Sequence, residues 1–169
     1  MIRRALVALL ALFLSLCTSC AFHQARGPQF QEVSATKQGA ATVYIYRTAN
    51  EKSGYNRTYT LLANGEKVTD LLHGGYFPLE IEPGRLRLAS DVNATIDRVL
   101  GLGLVGLAFE EAISPDAAKL AIDVKPGQTY FVKFKPEVHF THFTPKLSLV
   151  DDPVGRSEIR SCSLLEPAK

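Results

Sequence analysis

Cys20 has the clearest chemistry in this sequence because of the residues that precede it. The chain opens with two arginines, continues with an unbroken apolar run over 5–13, and reaches Cys20 through the small residues Thr18 and Ser19. A charged start, a short apolar run and small residues before the cut are the parts of a secretory signal. A cysteine at this place is typical of bacterial lipoprotein signals, so the pattern predicts a diacylglyceryl group on the Cys20 thiol.

Two alternatives to lipidation at Cys20 remain open. Cys17 is a second candidate, although a cut there would follow the bulky Leu16. An ordinary secretory signal, cut without lipidation, is the other alternative. A membrane span is disfavoured, because a span needs about 20 apolar residues and the run over 5–13 is shorter.

Cleavage of a signal peptide over 1–19 changes the charge and the thiol content of the chain. The full sequence has 19 basic and 17 acidic residues, and loss of the two arginines in the leader leaves a formally neutral mature chain. This balance excludes a basic footprint for nucleic acid. Cys162 is then the one thiol besides Cys20, so no disulfide can form within a mature chain. Ala21, rather than Asp, follows Cys20, which favours the outer membrane with the protein facing the periplasm.

A second candidate site is an apolar run over 99–109 that is bracketed by charged residues on both sides. The run is too short to span a bilayer, and each of its three glycines weakens a helix by about 1 kcal/mol. It either packs over a sheet as part of the core or forms an exposed loop that contacts the bilayer or a partner protein. In the second interpretation the contact residues are Leu102, Leu104, Val105, Leu107 and Phe109.

Tyrosines are frequent near the first two predicted strands. Tyr44 and Tyr46 alternate with apolar residues, and Tyr55 and Tyr59 follow closely. Tyrosine packs well across neighbouring strands, which is the simpler interpretation. The alternative is a glycan platform for peptidoglycan, with Tyr44 and Tyr46 as the stacking residues.

The sequence offers little support for a metal site or a catalytic centre. His139 and His142 are three residues apart, so they point to opposite faces of an extended chain, and zinc needs three or four ligands. No Gly-x-Ser-x-Gly motif is present, and Cys162 has no histidine nearby in sequence. We expect no catalytic residue, no metal and no cofactor, and a structural role for Cys162.

The elements that would position these residues are mostly strands. Alternating apolar residues, separated by Asn64-Gly65, Pro83-Gly84 and Pro126-Gly127 turns, favour an antiparallel sandwich. The mainly β domain over 41–166 would be a single antiparallel β-sandwich with one short helix near the C-terminus and a Gly/Leu-rich insert. Polar residues over 20–40 predict a lipidated tether. Strands are predicted at 41–47, 59–63, 67–72, 76–82, 85–88, 119–125, 130–135, 146–150 and 161–165, with a helix from Asp152 to about Arg160.

The strand and turn sequences resemble a known family of bacterial lipoproteins. The similarity is carried by Ala-Thr-Val-Tyr-Ile-Tyr-Arg at 41–47, Glu-Pro-Gly at 82–84 and Val-Lys-Pro-Gly-Gln-Thr-Tyr-Phe-Val at 124–132. In this order, behind a lipidation signal, these motifs are similar to the family called domain of unknown function 2846, and the middle section resembles PEGA-type sandwiches. The resemblance implies an envelope β-sandwich without a known catalytic centre. The insert between Asp91 and Asp116 departs from the family pattern.

Taken together, these patterns predict a non-enzymatic outer-membrane lipoprotein. Its partners would be the bilayer, through acylated Cys20, and an envelope protein contacted by the insert, with no nucleic acid. A glycan-binding module is the alternative, and an unrecognised metal-binding or hydrolytic protein is a weaker one. The sequence leaves the oligomeric state open.

Overall fold

The fold consists almost entirely of strands. A computed structural model of the protein describes residues 24–33, 36–50, 57–92, 118–138 and 143–168. No helix among these residues is long and apolar enough to cross a membrane. The elements are β1 (Ala41–Arg47), β2 (Tyr59–Ala63), β3 (Glu66–Leu71), β4 (Gly75–Ile81), β5 (Gly84–Val92), β6 (Ala118–Val124), β7 (Thr129–Val138), β8 (Phe143–Val150), α1 (Asp152–Ile159) and β9 (Ser163–Leu164).

The strands form two sheets, which confirms the predicted β-sandwich. One sheet has the order β8-β7-β1-β4-β9 and the other has the order β3-β2-β5-β6. The prediction of purely antiparallel pairing is wrong for the first sheet, where β1 pairs with β7 and β4 pairs with β9 in parallel. Parallel neighbours need a long crossover connection. Most of the chain between β1 and β7, including the whole second sheet, serves as that crossover.

The main core lies between the two sheets. Alternate residues of the facing strands point into it, including Val43 and Ile45 of β1 and Leu86 and Leu88 of β5. The hairpin between β2 and β3 turns at Asn64, which has a φ of 51°, and at the following glycine. Asn-Gly suits this turn because both positions need positive φ, so the predicted hairpin is confirmed.

A second apolar cluster covers the opposite face of β1. It joins Tyr44, Tyr46 and Phe131 to Ile159 of helix α1 and to Cys162. The helix therefore lies on the outer side of the five-stranded sheet, and β1 is buried on both faces along its whole length.

The predicted tether over 20–40 is wrong for the residues that the structure describes there. Ala25 donates its backbone N–H to the carbonyl of His73 at 3.0 Å, and Phe30 donates its own to the carbonyl of Cys162 at 2.9 Å. These bonds run between backbones, so a polar composition did not reveal them. The N-terminal segment is part of the folded domain from about residue 24.

A carboxylate fixes the next part of this segment to the sheet. Glu80 of β4 accepts hydrogen bonds from the Thr36 hydroxyl at 2.7 Å and from the backbone N–H groups of Thr36 and Lys37 at 3.0 and 2.6 Å. The bonds from Thr36 and then Lys37 favour the charged form, and they lower the pKa of Glu80 below its ordinary value.

Candidate functional site

Strand ends of both sheets lie together at one end of the sandwich. Arg47 at the end of β1 lies opposite Gly75, the first residue of β4. The three residues 72–74 connect Gly75 to Leu71 of β3 in the second sheet, so the ends of both sheets meet there. We refer to it as the Arg47 end, which comprises the strand ends Arg47, Tyr59, Leu71, Gly75, Val92, Ala118, Val138 and Phe143.

The Arg47 end is where the apolar insert leaves the sandwich and returns to it. The chain departs at Val92, opposite Tyr59 of β2, and β6 begins at Ala118, opposite Ser90. The candidate contact residues over 102–109 lie outside the described part of the chain. Both of their flanks nevertheless belong to one end of the domain.

The segment that follows Cys20 arrives at the same end. Gln24 forms a parallel bridge with His73, which lies in the link between β3 and β4 at the Arg47 end. Only 21–23 separate Gln24 from Cys20, so the Cα atoms of these two residues can be at most about 14 Å apart. The described residues therefore bring the chain from the predicted lipidation site and the flanks of the insert to one end.

A buried cation holds the Arg47 end together. The Arg47 side chain is fully buried, and its Nη1 donates a hydrogen bond to the carbonyl of Arg57 at 2.8 Å. Its guanidinium carbon lies 5.2 Å from the ring centroid of Tyr59 and 5.9 Å from that of Phe134. These are cation–π distances, so the cation joins β1 and β7 of the five-stranded sheet to β2 of the four-stranded sheet.

An open groove of about 680 Å³ runs beside the N-terminal segment. Lys67 and Asp70 line it and form a salt bridge at 2.9 Å, with both side chains partly exposed. The pair leaves no unmatched charge that would select an ion, and its contribution to stability is small. The groove gives no indication of a particular ligand.

Tyr44 and Tyr46 cannot serve as the glycan platform that the sequence allowed. Both side chains are 0% exposed. The Tyr44 ring stacks on Phe131 at a centroid distance of 5.4 Å, and its hydroxyl accepts a hydrogen bond from the N–H of Val33 at 2.8 Å. Helix α1 and the N-terminal segment cover this face, so no sugar ring can stack there. The interpretation of these tyrosines as packing residues is confirmed.

Glu158 of α1 connects the helix to the sheet. Its Oε2 accepts a hydrogen bond from the Tyr46 hydroxyl at 2.7 Å, and its Oε1 accepts one from Lys133 Nζ at 2.7 Å. Burial opposes ionisation of this carboxyl, but the two hydrogen bonds outweigh that effect and hold the pKa of Glu158 below its ordinary value. Both oxygens are thus engaged with structural partners, and we assign Glu158 a structural role.

Cys162 is unsuited to nucleophilic chemistry. It is fully buried beneath α1, and burial raises its pKa to about 12. Nucleophilic cysteines need a thiolate, which a raised pKa disfavours at neutral pH. Among the residues that the structure describes, no three His, Cys, Asp or Glu side chains are grouped as a metal site would require. His139 and His142 lie outside that part.

The roles of Arg47 and Glu158 were not predicted from the sequence. Arg47 continues the alternation of Val43 and Ile45, so its position on the core-facing side of β1 was a signal for a buried cation. Glu158 had no comparable signal, because its partners Tyr46 and Lys133 are distant in sequence.

Comparisons with known proteins return no relative for this chain. No protein-family model, no curated protein and no solved structure matches it. The resemblance to the lipoproteins of domain of unknown function 2846 stays a prediction from the motifs, and the function has to be argued from the chain itself.

Proposed function

We propose that this chain is a bacterial outer-membrane lipoprotein, anchored through Cys20 and facing the periplasm. In this proposal its β-sandwich is a non-enzymatic accessory module that binds another envelope protein. The apolar insert is the contact, with Leu104 and its neighbours as the binding residues.

The observation that carries the proposal is the arrangement of the Arg47 end. The segment from Cys20 reaches the domain at Gln24, and the insert leaves at Val92 and returns at Ala118, all at that end. Since at most about 14 Å of chain joins Cys20 to Gln24, the insert would operate close to the membrane surface. We therefore favour an outer-membrane protein as the binding partner of the insert.

The described side chains also favour binding over catalysis. The candidate nucleophile Cys162 is buried, and both oxygens of the half-buried Glu158 are hydrogen-bonded to the sheet. These two groups thus support the fold, and binding by a loop on a rigid scaffold is a common arrangement.

Replacement of the lipidated cysteine tests the anchor. We expect Cys20→Ser to accumulate as a precursor that keeps residues 1–19 and takes up no radiolabelled palmitate, because a serine lacks the thiol that accepts the lipid. Gel mobility and palmitate labelling of membranes measure both effects. Cys17→Ser is the matched control and should be processed and labelled like the parent. Normal processing of Cys20→Ser, or a block in Cys17→Ser, would contradict the assignment.

Replacement of Leu104 tests the contact. We expect Leu104→Asp to reduce the yield of a specific crosslinked partner in living cells by about tenfold or more, since an unpaired carboxylate in an apolar contact is costly. Affinity purification after crosslinking, followed by mass spectrometry, measures the yield.

A leucine outside the insert provides the control for this experiment. Leu149 of β8 is 51% exposed, and Leu149→Asp should leave the partner yield unchanged. Thermal unfolding of both variants should match that of the parent. If Leu104→Asp unfolds the domain, the insert belongs to the core and the proposed contact is wrong.

A further inference from the structure

Two of the four outer sheet edges are covered by the ends of the described chain. Leu164 of β9 donates its N–H to the carbonyl of Pro28 at 2.8 Å, so the N-terminal segment lies along that edge. Ala168 donates its N–H to the carbonyl of Val68 in β3 at 2.8 Å, so the C-terminal segment covers part of the other. Uncovered edges invite pairing with other chains.

The third edge, that of β8, is protected by its sequence. Pro145 lies directly opposite Pro136 of β7. Neither proline has an N–H, so this is a non-hydrogen-bonded pair and the missing N–H of Pro145 falls on the outer edge. The next residue, Lys146, is exposed, and edge lysines also oppose pairing.

The fourth edge, that of β6, is covered by no described segment and contains no proline, and its exposed Lys119 is accompanied by an exposed residue of opposite charge, Asp123. Arg87 of β5 hydrogen-bonds towards β2, since its carbonyl accepts from the N–H of Asn64 at 2.8 Å and its N–H donates to the Asn64 side chain at 3.0 Å. Ala121 lies opposite Arg87, so the Ala121 backbone points away from β5. The same holds for Lys119 and Asp123, two residues away on either side.

We propose that β6 pairs with β6 of a second copy of this chain, antiparallel and centred on Ala121. The two four-stranded sheets would then join into one continuous sheet about a two-fold axis. Each residue whose backbone faces the edge would exchange a pair of hydrogen bonds with the partner strand.

The charges on β6 favour this register. Pairing centred on Ala121 sets Lys119 of one protomer opposite Asp123 of its partner, and the symmetry repeats the pair. All three side chains are exposed in the single chain, and opposite charges across strands are stabilising. On the inner face, Leu120 of one protomer meets Ile122 of its partner and extends the apolar core. A shift of two residues in either direction breaks both charge pairs.

The symmetry has a consequence for membrane attachment. The two-fold axis is perpendicular to the sheet, so the Arg47 ends of the two protomers lie at opposite ends of the dimer. With Cys20 lipidated as proposed above, both anchors reach one membrane when this dimer lies with its sheets parallel to the bilayer.

Thiol crosslinking at the centre of the pair tests the register. The Cα atoms of a hydrogen-bonded antiparallel pair are about 5.5 Å apart. Ala121→Cys in the purified full chain should therefore give a fluorescent covalent dimer with dibromobimane. Arg87→Cys is the control, because its exposed side chain lies one strand further from the axis in each protomer. The parent chain, with Cys17, Cys20 and the buried Cys162, sets the background. No dimer above background, or equal dimer from Arg87→Cys, would overturn the proposal.

A charge exchange provides an independent test. We expect Lys119→Asp and Asp123→Lys each to weaken dimerisation about tenfold in sedimentation equilibrium, because each places like charges opposite one another twice. The double variant restores both pairs in reversed order and should dimerise like the parent. Failure of the double variant to recover, with folding intact by circular dichroism, would contradict the proposed pairing.

Discussion

Gly155→Ala should destabilise the protein by about 2 kcal/mol, although alanine is the better helix former by about 1 kcal/mol. Gly155 is one of the two buried residues of α1, and it lies against Phe131 of β7. A Cβ at this position would lie 2.4 Å from both Cβ and Cγ of Phe131. Phe131 is stacked on Tyr44 within a central strand, so it has little room to retreat. Overpacking of a tight contact costs typically 1–3 kcal/mol.

Urea unfolding of the purified protein measures this effect, and Ser157→Ala is its control. Ser157 is exposed two residues further along α1, so its replacement should leave the free energy of unfolding within about 0.5 kcal/mol of the parent. If both alanine variants are equally stable, α1 does not rest on Phe131 as described. If the helix is displaced, the bond between Glu158 and Tyr46 should weaken with it.

The sequence predicts a strand well where one of its faces is exposed and the other is buried. In β6, Ile122 and Val124 point inward while Lys119 and Asp123 point outward, and this alternation is visible without a structure. The turn at Asn64-Gly65 and the helix that starts with Pro153 in its first turn were predictable for equally local reasons. The β-sandwich architecture follows from these elements.

Contacts that are distant in sequence were not predictable in this way. β1 has the same alternation, yet Tyr44 and Tyr46 are as buried as Val43 and Ile45, because α1 and the N-terminal segment cover its second face. The docking of residues near Ala25 depends on backbone hydrogen bonds, which leave no mark on composition. Consequently the sequence favoured a tether and allowed a glycan platform, whereas the structure has a docked segment and a buried tyrosine cluster.

Replacement of the buried cation should loosen the end of the sandwich from which the insert emerges. We expect Arg47→Ala to lower the free energy of unfolding by about 3 kcal/mol, as truncation of a large buried side chain does. Arg47→Met keeps most of the apolar volume and should lower the free energy of unfolding by about 1 kcal/mol. This loss measures the contribution of the cation–π contacts and of the hydrogen bond to the Arg57 carbonyl. The difference between the two variants separates packing from charge.

Hydrogen exchange then distinguishes a local effect from a global one. In Arg47→Met we expect faster exchange at Tyr59 and Phe134, whose rings the guanidinium contacts, than at the opposite end of the sandwich near Gly84. Arg87→Met, which removes an exposed arginine of β5, should change neither stability nor exchange beyond about 0.5 kcal/mol. Burying a charge costs desolvation free energy, which its contacts must offset. If Arg47→Met is more stable than the parent, the contacts of the guanidinium do not offset this cost, and the cation does not stabilise this end. The proposal that a fixed scaffold presents the insert would then lose its main structural support.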